Sequence, residues 1–107
     1  MSLISAAVLT IANPAAARNC YEGFSGGGCP WAAELKKSEL KKQSCQNLAH
    51  IRNQLYNENG YCFSKPEYAD LYDNSDCHFD DQDQVPLNNY ERTNIFRIRS
   101  IEKAKGC

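Results

Sequence analysis

The chain has 107 residues, with 12 Lys and Arg against 13 Asp and Glu, a formal charge of −1. That length holds one small domain. A near-neutral balance excludes the strongly basic surface a nucleic-acid binder uses to displace counterions, and six cysteines in so short a chain point to an oxidising compartment.

Residues 1–17 contain no charged side chain. Residues 3–12 are an apolar run of signal-peptide length, Pro14 breaks any helix, and Ala15, Ala16 and Ala17 supply the small residues a signal peptidase requires. Cleavage after Ala17 is expected, leaving residues 18–107 as a soluble mature chain. No Lys or Arg precedes the run, and the rival reading is an N-terminal core helix. The run is too short to cross a bilayer, which takes about 20 apolar residues.

Residues 18–30 read as loop. Gly26, Gly27 and Gly28 are followed by no Lys-Ser or Lys-Thr, so they form no phosphate loop and read as a flexible stretch. A short helix is expected over Trp31–Gln43. Its paired lysines, Lys36 and Lys37 then Lys41 and Lys42, offer a basic patch for an anionic polymer. Glu34 and Glu39 are interleaved with them, which favours a merely solvated face.

The strongest helical pattern covers 45–59, with Ser44 as N-cap, Leu48, Ile51 and Leu55 at helical spacing, and Gly60 as a left-handed stop. A second helix is expected from Ser64 to about Asn74. Ser64 and Glu67 would form a capping box around Pro66, with Tyr68, Leu71 and Tyr72 on one face. An acidic loop follows over 76–84. The last helix opens near Asn88 with Glu91 three residues on, carries Ile95, Ile98 and Ile101, and closes at Gly106. No strand of any strength appears. The fold class is therefore mainly α: a small disulfide-stapled domain of three to four short helices with an irregular N-terminal loop.

Cys20, Cys29, Cys45, Cys62, Cys77 and Cys107 all lie beyond residue 17. Their order alone leaves the pairing open. The arrangement favoured here is Cys20–Cys29, Cys62–Cys77 and Cys45–Cys107, two local loops and one closure between the first strong helix and the last. Closing a loop the size of 62–77 stabilises by about 3 kcal/mol on the chain-entropy model, which matters to a thin core. Zinc is disfavoured because no C-x-x-C pair exists and His78 directly follows Cys77. An even set leaves no obvious catalytic thiol.

The stretch from Arg52 through Asn53 and Tyr56 to Gly60, Tyr61, Cys62 and Phe63, followed by 88–102 with Glu91-Arg92-Thr93-Asn94-Ile95, resembles the YARHG domain of bacterial secreted and membrane-anchored proteins. The resemblance runs over 45–107 and sets 18–44 apart as a Cys-bridged loop and short helix. Of the Tyr-Ala-Arg-His-Gly motif only Tyr56 and Gly60 stand, with Asn57, Glu58 and Asn59 between them. The cysteine-rich form is similar to small periplasmic members from alphaproteobacteria. It implies an extracellular or periplasmic module and no particular activity. A structural role accounts for much of the motif: Gly60 at a helix end, Tyr56, Tyr61 and Phe63 packing the turn on the last helix, Arg52 bonding carbonyls or a carboxylate such as Glu102, and Asn53 bonding the backbone of the next loop.

Catalytic patterns are absent: there is no G-x-S-x-G elbow and no H-E-x-x-H. Adjacent Asp80 and Asp81 on an exposed loop lack the cleft that glycoside cleavage requires. The acids from Asp73 to Asp83 suit calcium by type, but the EF-hand Gly and Glu are missing, and a solvated loop fits better. His50 reads as a surface or half-buried helix residue. No cofactor is implied. Two partner classes fit a periplasmic or secreted module, with a small hydrolase, which would require a cleft with converging polar groups, a distant third. One is an envelope polymer such as peptidoglycan, met by stacking aromatics among Tyr21, Phe24, Trp31, Tyr61, Tyr68 and Tyr72. The other is an envelope protein that this chain inhibits or joins, met by the Cys20–Cys29 ring with Tyr21 and Trp31 exposed beside it.

Overall fold

A computed structural model describes residues 18–107. Its described helices are α1 (Lys37–Leu40), α2 (Cys45–Glu58), α3 (Pro66–Ala69) and α4 (Asn89–Lys105), with 3-10 turns at Ser25–Gly27 and Gln82–Gln84. The expected signal segment, 1–17, lies outside the described residues.

The two long helices form where local chemistry is complete. At the start of α2 the Ser44 hydroxyl accepts from the Asn47 amide at 3.0 Å. At the start of α4 Asn88 and Glu91 cap each other reciprocally, each amide donating to the other's side chain at 2.8 Å, so two otherwise orphaned donors are satisfied. Gly106 ends α4 in the left-handed region. After α2 the chain turns at Gly60, whose φ of +96° suits a residue without Cβ.

The two other expected helices shrink to single turns. Within 31–43 only Lys37–Leu40 is helical, because 30–35 is held by a side chain from α4 rather than by its own backbone ladder. Asn94, fully buried, accepts from the Leu35 amide at 2.7 Å and donates to the carbonyls of Pro30 and Ala33, both at 2.9 Å. In the 64–74 segment the helix is Pro66–Ala69, and Lys65 is its N-cap without a side-chain bond, so the Ser64–Glu67 capping box does not form. Asn74 instead bonds both backbone groups of Phe63, at 3.0 and 2.9 Å, and closes the segment into a loop. Among the described residues no strand forms; a lone parallel bridge joins Tyr61 and Phe79.

Three disulfides staple this frame: Cys20–Cys29, Cys62–Cys77 and Cys45–Cys107. The long one ties the first turn of α2 to Cys107, two residues past the end of α4. The glycine run has a sharper role than flexibility. Gly28 is buried with φ +67°, and a Cβ there would stand 1.9 Å from the Tyr21 carbonyl oxygen. The Tyr21 amide donates to the Gly28 carbonyl at 2.7 Å and completes the ring.

α2 and α4 share the core. Leu48 and Ile51 meet Ile98 and Ile101 at one end, with Leu35 and Leu40 covering them. Leu55 and Tyr56 meet Ile95 at the other, with Phe63, Tyr72 and Val85. Fully burying a side chain of this size contributes roughly 1.5–3 kcal/mol. α4 therefore works as the shared wall of both clusters, and Asn94 pins the N-terminal segment onto it.

Candidate functional site

The 45–58 helix sets one wall of a groove. Gln46, Ala49, His50 and Asn53 recur at helical spacing beside the apolar stripe, so they line one flank of α2. Opposite stand Tyr68, Leu71 and Tyr72 from the looped 63–77 segment, and Cys45–Cys107 with Glu102 closes one end. The groove encloses about 690 Å³.

Its polar wall is preorganised. Arg52 grips Glu102 as a fork, Nε to Oε1 at 3.0 Å and Nη2 to Oε2 at 2.9 Å. Nη1 donates to the Asn53 side chain at 3.3 Å, so buried Asn53 bonds Arg52 rather than the backbone of the following loop. The two charged side chains keep 19% and 14% of their surface, enough for a ligand to reach them. A two-point arginine–carboxylate contact is geometrically demanding, which fixes both side chains. His50 Nδ1 lies 3.0 Å from the Tyr72 hydroxyl, and the two rings stack at 5.8 Å. Burial pushes the Tyr72 phenol above its ordinary value, partly offset by the neighbouring Asn53 side chain, so it stays a neutral hydroxyl, able to donate as well as accept.

The aromatic wall is backed by the core. Phe63 stacks on Tyr72 at 4.7 Å, and Tyr61 meets Phe63 edge-on at 4.8 Å. Tyr56 is buried against Tyr61 and its hydroxyl accepts from Arg99 at 3.3 Å. Of the motif residues, Arg52 and Asn53 line the groove directly. Tyr56, Tyr61 and Phe63 support the segment that forms its far side, and Gly60 turns the chain between the two walls. Leu71 is the exception to an otherwise packed wall: 72% of it is exposed, at the lip.

Tyr21 and Trp31 do not stand together as an exposed pair beside the Cys20–Cys29 ring. Tyr21 is half-buried, packs on the core and meets His50 edge-on at 6.1 Å. Burial, and secondarily the nearby Glu58 carboxylate, drive its phenol far above the ordinary range. Trp31 is half-buried on the other cluster, with the Arg18 guanidinium 5.4 Å above its ring. Phe24 is core. The acidic loop is built from local turns: Asp73 accepts from the Ser75 amide at 2.8 Å, which lowers its pKa, and Asp81 accepts from the Asp83 amide at 2.9 Å. Among the described residues no three His, Cys, Asp or Glu side chains converge as a metal set.

At the position of the motif's histidine, Asn59 donates to the Leu55 carbonyl at 2.7 Å and to Glu91 at 2.9 Å. That joins the end of α2 to the start of α4. The groove residues that sequence reasoning missed as a set are His50, Leu71, Tyr72 and Glu102. The polar periodicity of α2 was the available signal for His50; Leu71 and Tyr72 were expected on one face with Tyr68, and Glu102 as a partner of Arg52, but nothing local brought the two groups to one groove.

The family model described as the YARHG domain matches residues 30–103. The match begins upstream of Cys45 and takes in the segment that Asn94 fastens to α4. No curated protein and no solved structure matches the chain.

Proposed function

The chain belongs to the YARHG domain family, and we propose that it is an exported, non-catalytic binding module whose groove takes a segment of an envelope polymer, with peptidoglycan as the first candidate. The observation that carries this reading is one groove that brings exposed Leu71 and half-buried Tyr68 together with Arg52 and His50, over a floor of buried Tyr72 and Asn53. Sugar rings present C–H faces to aromatics and hydroxyl and amide edges to polar side chains, so a glycan strand uses both walls at once. Peptide stems add carboxylates, which suit the N–H directions of Arg52 left open by Glu102 and Asn53.

Three disulfides support export, since such bonds persist in oxidising compartments such as the periplasm or the extracellular space. Among the described residues no helix is long and apolar enough to cross a membrane.

The test is co-sedimentation of the oxidised chain with purified sacculi at low and high salt. The reading expects pelleting that survives salt and falls about tenfold in affinity in Leu71→Ala and Tyr68→Ala, the loss of one stacked or apolar contact. Protein left in the supernatant at both salt levels would sink it.

A further inference from the structure

The near-neutral total charge conceals a separation. Every charged residue from 67 to 83 is acidic, whereas the Lys and Arg residues gather in 36–42 and 92–105. The two basic segments lie side by side: Lys105 Nζ donates to the Lys41 carbonyl at 2.9 Å, binding the end of α4 to the turn after α1. Between α1 and α4 runs a shallow cleft of about 250 Å³, lined by Lys37, Lys41, Phe96, Ser100, Ile101 and Ala104. The side chains of Lys36, Lys37, Lys41, Lys42 and Lys103 have no hydrogen-bond or ion-pair partner among the described residues. Phe96 shares the cleft with Lys37 and Lys41 and keeps 72% of its surface in water.

An unpartnered lysine face alone suits any polyanion. A large apolar ring held in water beside Lys37 and Lys41 asks for something more, a phase that is anionic at its surface and apolar just beneath. We propose that the α1–α4 face docks on an anionic lipid surface, with Phe96 entering the headgroup boundary and the lysines meeting lipid phosphates. The contact is peripheral and reversible, because one ring inserts and the rest is electrostatic. The same surface repels the acidic 67–83 segment, and that segment carries Tyr68, Leu71 and Tyr72. Docking therefore turns the groove away from the lipid. The docking face stands independently of what the groove binds.

The experiment is flotation of the oxidised full chain with phosphatidylglycerol vesicles and with phosphatidylcholine vesicles, at low and high salt. Binding is expected to the anionic vesicles and to weaken in salt. Phe96→Ala should lower affinity about tenfold through lost insertion, and K37E/K41E about a hundredfold through four units of reversed charge at the surface. Both lysines and Phe96 are exposed, so these variants retain the core. Leu71→Ala should leave vesicle binding unchanged while weakening sacculus pelleting, which separates failure of this face from failure of the groove. Three results would each overturn the proposal. One is equal binding to phosphatidylcholine. Another is vesicle binding that survives K37E/K41E, which moves the contact elsewhere, residues 1–17 included. The third is an unaffected Phe96→Ala together with sacculus pelleting lost in K37E/K41E, which assigns the lysines to a polymer.

Discussion

Asn94→Ala probes the clamp that holds residues 30–35 on α4. Asn94 is fully buried and makes three hydrogen bonds to backbone groups of Pro30, Ala33 and Leu35. Alanine removes all of them and leaves no side chain to replace them. Each net bond is worth about 1 kcal/mol, and a buried group left unmet costs about 1–3 kcal/mol. Water entry will satisfy some of the exposed carbonyls, so a total loss of about 3 kcal/mol is expected. A domain of this size has roughly 5–10 kcal/mol in all, and about 3 kcal/mol corresponds to a fall in Tm of about 15 °C. The assay is thermal unfolding of the oxidised protein by circular dichroism, paired with amide exchange at Leu35. That amide should pass from protected to fast. Asn94→Asp keeps the acceptor for Leu35 but sets a carboxylate against two carbonyls, and should be no better than alanine. An alanine variant melting within about 3 °C of the parent, with Leu35 still protected, would refute the clamp.

Other expectations follow from the same frame. Removing disulfides in pairs should rank by the chain they close, with separations of 62, 15 and 9 residues. Cys45–Cys107 contributes about 4 kcal/mol and Cys20–Cys29 the least, and urea midpoints that reverse this order would contradict the ranking. Gly60→Ala forces a Cβ into the left-handed region at φ +96° and should cost about 1–2 kcal/mol; an unchanged urea midpoint would show the turn needs no glycine. Glu58 is pushed above its ordinary 4.5 by burial, against bonds from Asn19 and Gln54. A carboxyl with a raised folded pKa contributes its full stability below its unfolded pKa and loses it as pH rises through the folded one. Glu58→Gln should therefore equal the parent near pH 4 and exceed it at pH 7, as melts at both pH values would show; a variant less stable than the parent at pH 7 would reverse the assignment.

What the sequence made legible was chemistry that closes within a few residues. The Ser44 cap, the Asn88–Glu91 box and the two glycine stops placed α2 and α4 almost to the residue, and the preference for pairing Cys45 with Cys107 matches the helices' antiparallel contact. The 31–43 and 64–74 segments failed for the opposite reason. Their conformations are set by partners outside a local window: Asn94 from α4 in one case, Asn74 and the Cys62–Cys77 bridge in the other. The same limit hid most of the groove. Leu71 shares a face with Tyr68 and Tyr72 only while the segment is helical; once helix stops at Ala69, Leu71 turns to the lip. Arg52 and Glu102 are fifty residues apart, and although a carboxylate partner for Arg52 was foreseeable, the groove their pairing walls was not. Aromatics that looked available for stacking, Phe24 and Trp31 among them, are drawn into a core too thin to spare them.

The groove itself is the claim to test first. Amide and side-chain NMR shifts of the oxidised protein, titrated with soluble muropeptides from digested sacculi, report which surface a polymer fragment meets. The account predicts perturbations concentrated at His50, Asn53, Tyr68, Leu71 and Tyr72, with an apparent Kd about tenfold weaker in Leu71→Ala. Shifts confined to the α1–α4 face, or none at saturating fragment, would contradict it.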